Sequence, residues 1–236
     1  MENYLYLILN IFTISFPLVR SFENKVQYAK NWYALFPAIL ATGIFFIVWD
    51  HWFTVIGVWE FNPRYLIGVY FFDLPLEEWL FFLTVPFACI FIYEVLNYFI
   101  KKDVFAPIVK PVTFILVFLF LIVGLSNLDK WYTSVNFIVG AFTLAIHYFF
   151  FKGKYLGRFY LTYLVSLIPF LIVNGILTGS FIDEQVVKYN DLENLSIRIF
   201  TIPIEDTVYS MTLLLMNLSI YEKIKSKKTI YSTSSL

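Results

Sequence analysis

The stretch Pro75-Leu76-Glu77-Glu78 recurs 128 residues later as Pro203-Ile204-Glu205-Asp206. Each copy opens a long apolar run, and each puts two adjacent carboxyl groups where a membrane helix should begin. Charged side chains inside a membrane are costly and mark functional sites by default. Two copies in one register therefore predict a repeated half-site that is completed when the two halves of the chain meet.

The composition around these motifs is that of an integral membrane protein. The 236 residues are 60% hydrophobic and only 14% charged, and the mean hydropathy is +0.74. A soluble domain needs far more polar surface. The formal net charge is zero, and the chain has no basic face on which nucleic acid could bind.

Seven apolar runs are long enough to cross a bilayer, which takes about 20 residues per helix. The predicted fold is therefore all-α and membrane-integral, with seven transmembrane helices. They cover residues of about 4–20, 33–52, 75–99, 109–126, 132–151, 158–178 and 203–222.

The basic residues give an orientation for these helices. Lysine and arginine collect in the cytoplasmic loops of membrane proteins, and with seven crossings thirteen fall on one side and four on the other. We therefore expect a multi-pass protein of the cell (inner) membrane, with an outside N-terminus and a cytoplasmic C-terminus. The minority set is Arg64, Lys130, Lys188 and Arg198.

A shift of 124 to 128 residues lays the first three helices over the last three. The fourth helix lies outside the repeat and adds one crossing, which predicts two parallel three-helix repeats joined by a linking helix. The predicted units are a first repeat at 1–104, a linking transmembrane helix at 105–127, a second repeat at 128–222 and a cytoplasmic tail at 223–236.

Two long loops and the tail complete the chain. The aromatic loop 53–74 predicts an interfacial hairpin or re-entrant cover, and loop 179–202 is its more polar counterpart. The tail 223–236 is basic and then serine-rich, which predicts disorder and contact with membrane lipid.

Glu77, Glu78, Glu205 and Asp206 are the candidate catalytic residues. A carboxylate in the first turn of a helix also stabilises the helix dipole, so ordinary capping is the alternative. Adjacent residues on a helix point about 100° apart, so one acid of each pair can face the interior. A protonated carboxyl beside an ionised one would supply an acid and a base in one pocket.

Polar and aromatic residues form the candidate substrate-binding set. Asp50 and Asn174 end the second and sixth runs at matching repeat positions, which suggests hydrogen bonds that orient the acids, although helix termination is equally compatible. Aromatic faces stabilise cations, and a dry acidic pocket with such faces suits a carbocation. The aromatic members of the set are Trp52, Trp59, Phe61, Trp79, Phe82 and Tyr209.

These motifs resemble the lycopene cyclase domain family, the small membrane-integral type found as two subunits or as fused chains. In the first half the resemblance lies in residues 57–59, 61–63 and 75–82, and in the second half in residues 174–179 and 203–206. It covers nearly the whole chain. The fused members of the family carry a linking helix between their halves, as predicted here.

The resemblance implies a lycopene β-cyclase, an intramolecular lyase of the isomerase type that makes β-carotene in carotenoid and isoprenoid biosynthesis. An acid protonates the terminal double bond of lycopene, the neighbouring double bond closes a ring, and proton loss gives a β-ionone end. No atoms are gained or lost, so no cofactor or metal is expected. The implied partners are the carotenoid substrate from the bilayer, membrane lipid and other carotenoid enzymes.

Two alternatives remain open from the sequence. One is a cyclase for a longer, prenylated carotenoid. The other is a non-catalytic membrane transporter, since internal repeats and buried acids are also found in transporters.

Overall fold

The computed structural model describes residues 2–233 and is built almost entirely of helices. All seven predicted apolar runs are helical. Within the described residues the α-helices are α1 (Leu5–Arg20), α2 (Trp32–Val55), α3 (Leu76–Phe99), α4 (Val109–Leu125), α5 (Trp131–Phe151), α6 (Leu156–Leu177) and α7 (Ile204–Thr233).

Among the described residues, the six helical segments that contain α1 to α6 are long and apolar enough to cross a membrane. Helix α7 is more polar, and it packs against α2, α3 and α5. Its buried side chains include Glu205, Thr212 and Asn217. Polar residues are tolerated at membrane depth where they face protein instead of lipid, so these contacts account for the weaker apolar signal of α7. Seven crossings stay a prediction.

Helices α3 and α7 occupy the middle of the bundle, whereas α4 packs mainly on α5. The α4–α5 contact is close at Gly124 of α4, and α5 in turn approaches α7 closely at Gly140. A Cβ at Gly124 would come within 2.8 Å of the Ile138 side chain, and one at Gly140 within 2.9 Å of Val208. Small residues allow membrane helices to approach in this way.

Both acidic motifs lie at helix starts, as predicted. Pro75 immediately precedes α3 and Pro203 immediately precedes α7, so both acid pairs fall in the first helical turn. A short hairpin leads into each helix: β2 (Tyr70–Phe71) pairs with β3 (Leu74–Pro75), and β5 (Arg198–Ile199) pairs with β6 (Ile202–Pro203).

Beyond these hairpins, the two long loops also pair with each other. Strand β1 (Trp59–Phe61) of the first loop pairs antiparallel with β4 (Val187–Tyr189) of the second loop, so the two loops form one cover. We name this two-stranded sheet the cover sheet. The polar character of the second loop gave no sign that it would supply a partner strand.

The tail departs from the prediction of disorder, because α7 continues as a helix through Thr233. The part of the predicted tail at 234–236 lies outside the described residues. Residues 223–227 continue the helix, and within them Lys223 and Lys227 are exposed.

Candidate active site

One cavity beneath the cover sheet brings together carboxyl groups from three helices. Asp50 from the end of α2, Glu78 from the start of α3 and Asp206 from the start of α7 all line it. Each of the three residues is buried. Three buried acids around one cavity are rare in a membrane protein and indicate function.

Asp206 is surrounded by hydrogen-bond donors. The Tyr132 hydroxyl donates to its Oδ1, Asn174 Nδ2 donates to Oδ2 over 2.6 Å, and the Tyr189 hydroxyl donates to Oδ2 over 2.9 Å. Hydrogen bonds to the charged form of a carboxyl group favour that form. This arrangement can hold Asp206 as a carboxylate that accepts a proton.

The carboxyl groups of the first half have fewer donors. Tyr6 donates to Glu78 Oε2 over 2.5 Å. Asp50 has one neighbouring donor, the Tyr209 hydroxyl, and both groups are buried at the same cavity. Two neighbouring negative charges in a dry site repel each other, so such a pair retains a proton.

The other acid of each motif points away from the cavity. Glu77 Oε1 accepts the backbone N–H of Ile67 over 2.7 Å. Glu205 Oε1 accepts the backbone N–H of Leu195 over 2.8 Å and the Thr133 hydroxyl over 2.7 Å. These bonds fix the two loops to the helix starts. In the described structure, one acid of each pair therefore faces the cavity and its neighbour holds the cover.

Five of the eight expected substrate-binding residues line the cavity, and three do not. Asp50, Trp59, Phe61, Asn174 and Tyr209 are at its wall. Trp52 is 39% exposed and packs on Trp131 instead. Trp79 donates to the carbonyl of Phe71, and Phe82 is buried against Phe46.

Tyrosines were missed by the sequence reasoning. Tyr6 binds Glu78, and Tyr132 and Tyr189 bind Asp206, so three unpredicted tyrosines contact two of the three cavity acids. Tyr6 and Tyr132 occupy the same repeat position on α1 and α5, 126 residues apart. That match was a usable signal, but the tyrosines were indistinguishable by type from the aromatic belts that membrane proteins carry at their interfaces.

The comparisons with known proteins identify the family of the chain. A family model described as lycopene cyclase matches residues 3–96 and 129–224, which is most of the chain and includes both acidic motifs. No curated protein and no solved structure matched the chain. The chain therefore belongs to the lycopene cyclase family of membrane-type carotenoid cyclases.

Proposed function

We propose that this protein is a lycopene β-cyclase that converts the linear ends of lycopene to β-ionone rings, giving β-carotene. The reaction is a non-redox cyclisation through a carbocation, and the substrate enters from the bilayer. The observation that carries the proposal is the convergence of Asp50, Glu78 and Asp206 on one buried, aromatic-lined cavity.

The first step needs a proton donor. The pair Asp50 and Glu78 fits this role, because both carboxyl groups are buried and line the same cavity. A proton from this pair forms a C–H bond at the terminal double bond of lycopene and leaves a tertiary cation. The π electrons of the next double bond then form the ring bond, and the cation moves onto the ring.

The last step needs a base. Asp206 fits this role, because Tyr132, Asn174 and Tyr189 all donate to it. It takes the ring proton, and the C–H electrons form the ring double bond. One proton enters and one leaves, so the substrate and product are isomers and no oxidant or reductant is consumed.

The walls and the cover support the cationic step. Trp59, Tyr132 and Tyr209 present aromatic rings at the cavity, and π faces stabilise positive charge. The cover sheet carries Trp59 and Tyr189, which line the same cavity as the acids. Exclusion of water protects a carbocation from capture.

For the membrane arrangement we propose seven crossings in two parallel repeats, with an outside N-terminus. A residue pair in the cover sheet supports a two-fold relation between the halves: Glu60 lies opposite Lys188, its counterpart 128 positions later. With α4 as the linking crossing, both acid pairs would open at the outer side of the inner membrane.

Expression of the chain in cells that accumulate lycopene tests the proposal. We expect bicyclic β-carotene in pigment extracts, identified by chromatography and absorption spectrum. If the protein is present in the membrane and lycopene stays linear, β-cyclase activity is refuted. Cyclisation of only a longer, prenylated carotenoid supplied to the same membranes would favour that substrate instead.

A further inference from the structure

A second, apolar cavity continues from the acid cavity towards the outside of the bundle. The two cavities share Phe81, Val85, Phe170, Asn174 and Leu213. The second one runs between α3 and α6, where Pro86, Cys89 and Leu167 also line it. Pro169, at its wall, is exposed on the outer surface of α6. We name this second cavity the α3–α6 cleft.

The lining of the cleft fits a hydrocarbon chain. Its exposed wall is almost wholly apolar, and the acid cavity lies at its inner end. A linear carotenoid has a reactive end group and a long polyene chain. When the end group lies at Asp50, Glu78 and Asp206, the polyene chain needs an apolar path to the bilayer, and the α3–α6 cleft is continuous with that position.

The symmetry-equivalent interface, between α2 and α7, is closed. By the repeat register, α2 corresponds to α6 and α7 corresponds to α3. Between α2 and α7, Asn217 Nδ2 donates to Thr42 Oγ1 over 2.8 Å, and both residues are buried. The counterparts of Asn217 and Thr42 are Cys89 and Ser166, and both line the cleft. Replacement of the amide by a thiol leaves a weaker hydrogen-bonding pair at this interface.

Aromatic packing adds to this difference. Trp49 packs on Tyr209 with a ring separation of 5.3 Å, and Phe46 packs on Tyr209 at 5.0 Å. These rings fill the α2–α7 interface. The counterpart of Trp49 is Val173, which lines the cleft. Valine is much smaller than tryptophan, so the equivalent space stays open.

Both helices that flank the cleft also carry a proline there. Pro86 of α3 and Pro169 of α6 line its walls, and each lies inside its helix. Proline removes a helical hydrogen bond and bends the helix. Two such positions facing one cleft favour a gap between the helices over close packing.

We propose that the α3–α6 cleft is the binding channel for the polyene chain of a linear carotenoid, and that of the two equivalent interfaces this one is the lateral entrance from the bilayer. The inference rests on the proposed function, because it takes a linear carotenoid as the substrate. It assigns specificity for chain shape to Ser166, Val173 and Cys89, which lie along the cleft.

Ser166→Phe tests the channel at a position that lines the cleft and does not line the acid cavity. The matched control is Ile168→Phe on the same helix, where the side chain is 65% exposed. We expect Ser166→Phe to lower cyclic carotenoid per protein at least about tenfold, because a ring inserted into a filled channel must displace the chain. Ile168→Phe should form about as much cyclic carotenoid per protein as the unsubstituted protein. If Ser166→Phe forms as much cyclic carotenoid per protein as the unsubstituted protein, the proposal that the cleft binds the polyene chain is wrong.

A second variant guards against misfolding. The double change Cys89→Asn with Ser166→Thr places at α3–α6 the pair that the protein already accommodates between α2 and α7. We expect the double variant to insert into the membrane at normal levels and to lose cyclisation. Normal cyclisation by this variant would contradict the proposal that the cleft is the lateral entrance.

A second measurement distinguishes the channel proposal from the proposed reaction. It is the amount of lycopene that each purified protein retains, read as absorbance per protein. If the parent retains lycopene without cyclising it, the proposed reaction is wrong. The channel is then upheld if Ser166→Phe retains less lycopene than Ile168→Phe, and overturned if the two retain equal amounts or if the parent retains none.

Discussion

Asn174 donates a hydrogen bond from Nδ2 to Oδ2 of Asp206 over 2.6 Å. The residue at the same repeat position in the first half is Asp50, which cannot donate from an ionised carboxyl group. At this repeat position the two halves therefore place different hydrogen-bonding groups at their shared cavity. In the proposed mechanism this donor helps to hold Asp206 as the base, whereas Asp50 belongs to the acid pair.

Asn174→Asp should impair the base. The change replaces a donor to Asp206 by a second carboxyl group, and a hydrogen bond to a charged group contributes about 1.5–3 kcal/mol. We expect cyclic carotenoid per protein to fall by roughly 10- to 100-fold. Asn24→Asp at an exposed position is the control, and it should cyclise as the parent does. Normal activity of Asn174→Asp would show that the amide does not support the base.

Glu77→Gln and Glu205→Gln should act on stability. Each acid accepts a backbone N–H of the neighbouring loop, and weakening a buried hydrogen bond to a charged group costs about 1–3 kcal/mol. We expect a lower thermal midpoint of the purified protein and nearly normal activity per folded molecule. Loss of cyclisation at an unchanged midpoint would place these acids in the chemistry instead.

The cover should loosen in acid. Arg64 holds Glu2, Asp183 and Glu184 together at the rim. The hydrogen bond from the Asn62 amide, aided by Arg64, lowers the pKa of the Glu184 carboxyl below its ordinary value of 4.5. A group whose pKa is lower in the folded state contributes stability above its unfolded pKa and loses it as the pH falls through its folded pKa.

Thermal midpoints of the parent and Glu184→Gln, measured between neutral pH and acid, check this expectation. The parent should be more stable near neutrality, and the gap should close as the pH falls below 4.5, the ordinary value for this carboxyl. Asp129→Asn, at an exposed position, should show no such gap. If the difference in thermal midpoint is the same at every pH, ionisation of Glu184 does not stabilise the cover.

The sequence predicted the helices, because apolar runs of this length are typical of membrane-spanning helices. It also predicted the two acidic helix starts, because each copy of the motif stands directly before an apolar run. It did not predict which acid of each pair faces the cavity. Adjacent residues on a helix point about 100° apart, and the direction of the interior depends on how the helices pack. All four acids were candidates, and in the described structure Glu78 lines the cavity whereas Glu205 accepts the backbone N–H of Leu195.

The cover sheet was equally hidden from the sequence. Strand β1 pairs with β4, and the two strands lie in loops of different composition. Pairing between distant segments depends on the arrangement of the halves and leaves no local pattern. The expectation that Trp52 and Trp79 line the cavity was wrong for a related reason. Residues that are close to the motif in sequence need not share its cavity.

Reporter fusions at the two ends test the membrane orientation. The distribution of thirteen basic residues against four predicts an outside N-terminus and a cytoplasmic C-terminus. An alkaline phosphatase fusion should be active at the N-terminus, and a fluorescent fusion that matures in the cytoplasm should report at the C-terminus. Termini in one compartment would exclude seven crossings and parallel repeats together.

The central claim is that the cavity carboxyls transfer the protons of cyclisation. Asp50→Asn, Glu78→Gln and Asp206→Asn keep side-chain shape and remove the titratable group, and Asp129→Asn is the matched exposed control. General acid–base groups contribute about 10²–10⁴-fold in rate. The most direct measurement is cyclic carotenoid formed per membrane-inserted protein in lycopene-accumulating cells. We predict that each cavity variant leaves lycopene almost entirely linear while Asp129→Asn cyclises normally, and normal cyclisation by all three cavity variants would contradict the mechanism.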